Sequence, residues 1–327
     1  MNPRQPSLLW VWLLAALPLQ LNADPEWTDR SPHRSGFITA RSVKLHYLDW
    51  GGKGVTILFL HGLGDTGHIF DDLAPKFTNQ FRVLALTRRG HGQSDKPETG
   101  YDTATLVEDI RQFLDALKIE RVILVGHSLA GDELTRFAGE HPERVVKLVY
   151  LDAAMDRAGL LEIMKQSPPE LSPTKADMES LDTFRRWVSR LSFWSEACEA
   201  NLREMMVFST GGKILREAMP DNASRLLMQG TQDSHPDYTK IRAPALSIAA
   251  VGCSSRVSDV VKALPDSARS KAEDYLSGLT QLQQQQIERF RKEIPNGKVI
   301  ELPNTDHHCF IQKVNEVVSE MRKFLAP

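Results

Sequence analysis

Val122-Ile123-Leu124-Val125-Gly126-His127-Ser128-Leu129-Ala130-Gly131 decides the fold, because four apolar residues break here into a sharp turn of small residues carrying one serine. Such a run, bounded by glycine, reads as a buried strand, and the Leu134, Phe137, Ala138 spacing beyond the turn reads as a helix. A strand, a tight turn and a helix with serine at the tip form the context of a nucleophile elbow. A serine hydroxyl is a weak nucleophile at neutral pH. It must therefore be held out of the sheet beside a base, with backbone N–H groups ready for the oxyanion. Gly126 and Ala130 leave space for a strained serine backbone and for a helix crossing close to it. Ala130 departs from the commoner G-x-S-x-G, with Gly131 following at once. An ordinary strand-to-helix turn with an exposed serine is the alternative.

Upstream, Val55 to Leu60 reads as another strand and ends in His61-Gly62-Leu63-Gly64, which alone is a tight turn. Val83-Leu84-Ala85-Leu86 then leads into Thr87-Arg88-Arg89-Gly90-His91-Gly92-Gln93-Ser94-Asp95-Lys96-Pro97. In this order and spacing the motifs resemble the α/β-hydrolase superfamily from Gly36 to the C-terminus. The first matches its HG-x-G oxyanion loop and the second its D-x-R-G-x-G-x-S-x-x-P loop, with Thr87 in place of the usual aspartate. The resemblance implies an oxyanion hole made by the backbone N–H groups of Leu63 and Leu129, each worth on the order of 10²–10³ in rate. It also implies that Arg89 and His91 fix a loop and do not take part in the chemistry.

Lys298-Val299-Ile300-Glu301-Leu302 reads as a last strand, and Pro303-Asn304-Thr305-Asp306-His307-His308 follows it. This resembles the loop that brings the superfamily's catalytic histidine to the serine, with His307 as the base and His308 the bulky residue beside it. A polar surface turn is the plain alternative. A metal site from Asp306, His307 and His308 is disfavoured, since no H-E-x-x-H or similar ligand spacing occurs. The acid departs from the usual pattern. After the apparent strand Pro244 to Ala250 come Val251, Gly252, Cys253, Ser254 and Ser255, and Asp259, the first carboxylate, falls late. Some haloalkane dehalogenases of the superfamily hold the acid at the end of the strand beside the nucleophile strand. Here Val145 to Leu151 ends in Asp152 at that place. Asp152 is thus the favoured acid, ahead of Asp156, Asp259 and no protein acid at all. Capping of the Ala153-Ala154 turn is its structural alternative.

The 327 residues, 41% of them hydrophobic and without internal repeats, are enough for one sizeable core and a lid. Residues 1–23 carry one charge, Arg4, an apolar run from Leu8 to Leu17, and Leu21-Asn22-Ala23 as a cleavage site. That is the pattern of a secretory signal peptide, too short to span a bilayer comfortably, with an uncleaved anchor as the alternative. Formal net charge is -2. Neither this value nor the mature chain's suggests a nucleic-acid or anionic-membrane partner. Cys198, Cys253 and Cys309 allow at most one disulfide. Asn222-Ala223-Ser224 is an N-glycosylation sequon, meaningful only in a host that glycosylates exported proteins.

The expected architecture is an α/β-hydrolase fold, a mostly parallel eight-stranded sheet flanked by helices. The core is expected from residues 24–155 and 240–327, with a helical lid at 156–239. Within the lid, Phe184, Trp187, Val188 and Leu191 form a helical stripe, followed by Phe193, Trp194, Met205, Met206 and Phe208. Ser167 to Pro173 reads as a hinge or surface loop, and Ser254 to about Gln286 as a second insertion whose glutamine run is a solvated helix face. The expected chemistry is that of a secreted or periplasmic serine hydrolase. It acts on a small ester or lactone through an acyl-enzyme, with Ser128, His307 and Asp152 as triad and neither cofactor nor metal. Carbon–carbon hydrolysis, cofactor-free peroxidation and a non-catalytic ligand receptor stay open, as does oligomeric state.

Overall fold

The computed structural model describes residues 27–157, 160–232 and 235–326; the expected signal peptide at 1–23 lies outside the described residues. Among the described residues ten strands form: β1 Arg34–Ala40, β2 Val43–Gly51, β3 Thr56–Leu60, β4 Arg82–Leu86, β5 Val122–His127, β6 Val145–Leu151, β7 Met206–Phe208, β8 Ile214–Glu217, β9 Ala245–Val251 and β10 Gly297–Pro303. The α-helices of the described residues are α1 Thr103–Ala116, α2 Ala130–Glu140, α3 Leu160–Met164, α4 Leu181–Leu191, α5 Glu196–Met205, α6 Asp221–Gln232, α7 Ser255–Lys262, α8 Asp266–Glu293, α9 Cys309–Gln312 and α10 Val314–Leu325.

Eight strands form one sheet in the order β1-β2-β4-β3-β5-β6-β9-β10. The β1–β2 and β2–β4 pairs are antiparallel and every other pair is parallel. Strands β3 and β5 are buried along their whole length, as strands covered on both faces must be, and they read as unbroken apolar runs for that reason. One face packs Leu58, Leu124 and Tyr150 against Phe113, Phe137 and Phe290 of α1, α2 and α8. The other packs Phe59, Val125 and Val149 with Phe70, Phe310 and Met321. Burying a side chain of this size stabilises by roughly 1.5–3 kcal/mol, so the two layers fix the sheet on which the candidate site stands.

Between β6 and β9 the chain makes an excursion carrying α3 to α6. Its apolar stripe does not stay helical. Met206 and Phe208 alternate buried positions on β7, which pairs antiparallel with β8 across a turn at Gly211 and Gly212, the latter at φ +75°. The two-residue period and the glycine pair outweigh helical spacing there. Phe184, Leu202, Met206 and Phe208 share a small separate core. After β9, α8 continues past Gln286 to Glu293. Its glutamine run is not merely a solvated face. Gln286 Oε1 accepts from Asp156 N–H at 2.9 Å and Gln283 Oε1 from Gly252 N–H at 3.3 Å, tying down two loops.

Candidate active site

In the β5–β6 ladder His127 pairs with Leu151, so Ser128 and Asp152 leave the sheet side by side at the carboxyl ends of neighbouring strands. Both have positive φ, 53° and 44°. A non-glycine residue held there costs on the order of 1–3 kcal/mol, and surrounding packing must enforce it. The elbow's small residues show how. A Cβ on Gly126 would come within 2.6 Å of Leu134 Cδ1 and 3.0 Å of Ala130 Cβ; one on Gly131 would lie 1.8 Å from the Ala153 carbonyl oxygen. Helix α2 can therefore press against both β5 and the turn after β6 only with glycine at these two positions. The His61–Gly64 loop is equally close: a Cβ on Gly62 would stand 3.1 Å from Ser128 Cβ. No side chain caps α2, and Leu129 occupies the N-cap position, among N–H groups that a helix start leaves without intrahelical partners.

Asp152 is held at three points. Its N–H donates to Ile248 O at 2.8 Å, its Oδ1 accepts from Ala250 N–H at 3.1 Å, and its Oδ2 lies 2.6 Å from His307 Nδ1. The carboxylate thus acts between strands and on the histidine, not as a cap for the Ala153-Ala154 turn. With Nδ1–H directed at Asp152, His307 keeps its Nε2 lone pair free to accept a proton. The ring stands 4.5 Å from the His127 ring, centroid to centroid, and His127 Nε2 donates to the His307 carbonyl at 3.2 Å. Burial first, and His307 second, press the pKa of His127 down to about 3, which keeps it neutral beside His307.

His308 turns away from Asp152. Its Nε2 lies 3.3 Å from Asp65 Oδ2, while Asn201 Nδ2 donates to Asp65 Oδ1 at 2.9 Å. Burial works against charge on both partners, but their attraction prevails: His308 is raised and Asp65 is held well below the usual carboxylate range. Asp65, His127 and His308 place three donor atoms within 4.8 Å of one another, a set the sequence did not reveal. Asp306 instead accepts from Ser192 Oγ at 2.8 Å. The other acid candidates are engaged elsewhere. Asp156 pairs with Arg289 at 3.0 Å, and Asp259 is an exposed residue of α7 3.5 Å from Lys262.

The loop after β4 braces the His61–Gly64 loop. Arg88 donates Nε to Glu133 Oε1 at 2.8 Å and Nη2 to the His61 carbonyl at 2.8 Å, and its N–H donates to His61 Nε2 at 2.9 Å. Arg89 grips Asp109 through two bonds of 2.6 Å, and His91 Nε2 accepts from Gly64 N–H at 3.3 Å. Burial and then the Arg88 charge drive His61 and His91 below the ordinary histidine range, His91 to about 3. Thr87 Oγ1 accepts from Gly67 N–H at 3.1 Å. The Arg88–Glu133 pair was not foreseen; its signal was an acidic residue in the first turn of the helix that follows the serine. All three cysteines are free thiols.

Residues 55–268 match the family described as alpha/beta hydrolase fold. A non-heme chloroperoxidase of Streptomyces lividans is 33% identical over 150 residues, 45% of this chain and 51% of that protein. An uncharacterised protein of Mycobacterium tuberculosis (strain ATCC 25618 / H37Rv) is 40% identical over 102 residues, 31% of this chain and 30% of its own length. The chain thus spans about half or less of the curated relatives it matches. The crystal structure of E-2-(acetamidomethylene)succinate hydrolase superposes with a TM-score of 0.67 at 20% identity, covering 90% of this chain and 99% of that one. With the family match over most of its length and the same eight-stranded sheet, this chain belongs to the alpha/beta hydrolase fold family.

Proposed function

We propose that the protein is a serine hydrolase that cleaves a carboxylic ester or lactone through an acyl-enzyme. The observation that carries this reading is the 2.6 Å contact of Asp152 with His307 Nδ1 beside a serine held at positive φ. In this mechanism His307 Nε2 takes the proton as Ser128 Oγ attacks the carbonyl carbon, and Asp152 stabilises the imidazolium. The developing oxyanion accepts from the N–H groups of Leu63 and Leu129. His307 then protonates the departing alkoxide, and water repeats the sequence to free the acid.

Serine as nucleophile, in place of aspartate, favours an acyl intermediate that water can discharge. The chloroperoxidase relative supports a second reading on the same residues, in which peroxide replaces water and releases a peracid. Residues 156–239 serve as the lid in this proposal, and residues 1–23 as an export signal. Purified protein is expected to label with a fluorophosphonate probe and to hydrolyse p-nitrophenyl esters or simple lactones, both lost in Ser128→Ala. Labelling that survives the substitution would refute the assignment. The exported protein is expected to begin near Asp24 on N-terminal sequencing; an intact residue 1–23 segment on membranes would replace export with anchoring.

A further inference from the structure

At the 3-10 turn Gly67–Phe70, three separate segments converge. Asp29 and His33 lie just before β1, His68 and Asp71 lie on and after the 3-10 turn Gly67–Phe70, and Glu204 lies on α5. Asp29, His33, His68 and Asp71 each offer one donor atom, all within 4.8 Å of one another. His33 Nε2 is 3.0 Å from Asp29 Oδ2 and 3.6 Å from Asp71 Oδ1; His68 Nδ1 is 2.9 Å from Asp71 Oδ2 and 3.7 Å from Asp29 Oδ2. Bonds of about 2.1 Å to a central zinc ion place tetrahedral ligand atoms about 3.4 Å apart, in the middle of that range.

Ordinary hydrogen bonding satisfies only part of the cluster: His68 Nδ1 meets Asp71 Oδ2 at 2.9 Å and Ser31 N–H donates to Asp29 Oδ1 at 2.9 Å. The side chains of His33 and Asp71 are 8% and 6% exposed. Yet both ring nitrogens of His33 and Oδ1 of Asp71 lack any hydrogen-bond partner. His33 Nε2 is close to two carboxylates without the alignment that a hydrogen bond to either requires. An unpartnered ring nitrogen within 3.0 and 3.6 Å of two carboxylate oxygens is one that a shared cation would use. Charge points the same way, since three carboxylates surround two imidazoles. Glu204 Oε1 is 3.3 Å from His68 Nε2, the far nitrogen, in the carboxylate–histidine arrangement that orients metal-bound imidazoles.

We propose that Asp29, His33, His68 and Asp71 bind one divalent transition metal ion, zinc by the chemistry of two imidazoles and two carboxylates, with Glu204 orienting His68. The ion ties the segment before β1 to the turn that follows the oxyanion loop, and through Glu204 to the excursion. Helix α5 is already joined to that turn by Asn201, whose Oδ1 accepts from Thr66 N–H at 2.7 Å. This site stands whether or not Ser128 is the nucleophile.

The test takes full-length protein stripped with EDTA, dialysed and titrated with zinc chloride by calorimetry, with metal content measured after gel filtration. The expected result is one zinc per chain and a melting temperature a few degrees higher at zinc 100-fold above its Kd. Affinity should fall at least 100-fold in both His33→Ala and Asp71→Asn and about 10-fold in Glu204→Gln, with the metal-free variants still folded by circular dichroism. His308→Ala should keep the zinc. Failure of the wild type to retain zinc, or equal affinity in the wild type, His33→Ala and Asp71→Asn, would overturn the proposal. So would loss of zinc in His308→Ala alone, which would move the ion to Asp65, His127 and His308.

Discussion

Asp152→Asn exchanges one carboxylate oxygen for an NH2 group at a residue whose two oxygens both accept. Oδ1 takes the Ala250 N–H and Oδ2 faces His307 Nδ1. An asparagine has one acceptor oxygen for these two donors. If that oxygen stays on Ala250, its NH2 group meets Nδ1 and forces the proton of His307 onto Nε2, the atom that must receive the serine proton. If the amide turns round, two N–H groups face each other in a buried place, at about 1–3 kcal/mol. The first arrangement therefore prevails, and the base is present in the wrong tautomer. Loss of the acid in this way lowers turnover by about 10⁴, equivalent to roughly 5.5 kcal/mol of transition-state stabilisation. Asp259→Asn removes the same charge from an exposed residue of α7 and should change kcat less than about twofold, as expected for a surface pair. Both variants are assayed on one good ester, with circular dichroism to confirm folding. An Asp152→Asn enzyme within tenfold of wild type would refute the assignment of the acid.

Two further predictions test the scaffold. Gly131→Ala places a methyl 1.8 Å from the Ala153 carbonyl and must push apart α2 and the turn after Asp152, costing about 1–3 kcal/mol or more in urea unfolding; a variant as stable as wild type would show that this approach is not tight. Acid should unfold the protein early. His46, His91 and His127 are pressed by burial to about 4, 3 and 3, so below the ordinary value of about 6.5 the unfolded chain takes protons that the folded one refuses. Each then costs about 1.4 kcal/mol per pH unit, about 2 kcal/mol at pH 5 and about 6 kcal/mol for the three together, of which Asp132 offsets about 2 kcal/mol, because burial raises its carboxyl to about 7 and the folded chain takes that proton first. Raised His308 adds no slope there, because below its unfolded value both states hold its proton. Unfolding free energy that differs by less than about 1 kcal/mol between pH 7 and pH 5 would contradict this.

The sheet was legible because its central strands are covered on both faces and so had to be unbroken apolar runs. The strand-turn-helix at Ser128 and the turn at His61–Gly64 were legible because their geometry is local: each is a few small residues that let one backbone pass close to another. Strand β7 was not legible, since Met205, Met206 and Phe208 satisfy a helical spacing as well as an alternating one. Only the glycine turn and the pairing with β8 decide between them. The ion pairs around the site were hidden for a different reason. Asp65 and His308 stand 243 residues apart, and no periodicity links them. The cluster of Asp29, His33, His68 and Asp71 left a partial trace in its i,i+4 and i,i+3 spacings, but each is too common in helices and turns to mark a site without the fold that joins them.

Asp152, the proposed acid, lies between these extremes. Nothing local distinguishes Asp152 from an aspartate capping a turn, and only strand order places it next to the serine. The structure separates the two roles. A cap's oxygens would accept from the N–H groups that follow it, whereas here one oxygen accepts from β9 and the other faces the loop after β10. Positive φ at Asp152 is also more than a cap requires, because aspartate caps helices from ordinary extended backbone, as Asp102 does at φ -75° for α1. Two strained residues on adjacent strands, both held by the same close approach of α2, form one unit. Loosening Gly131 should therefore disturb Asp152 and Ser128 together, so a Gly131→Ala enzyme that stays folded is expected to lose turnover as well as stability.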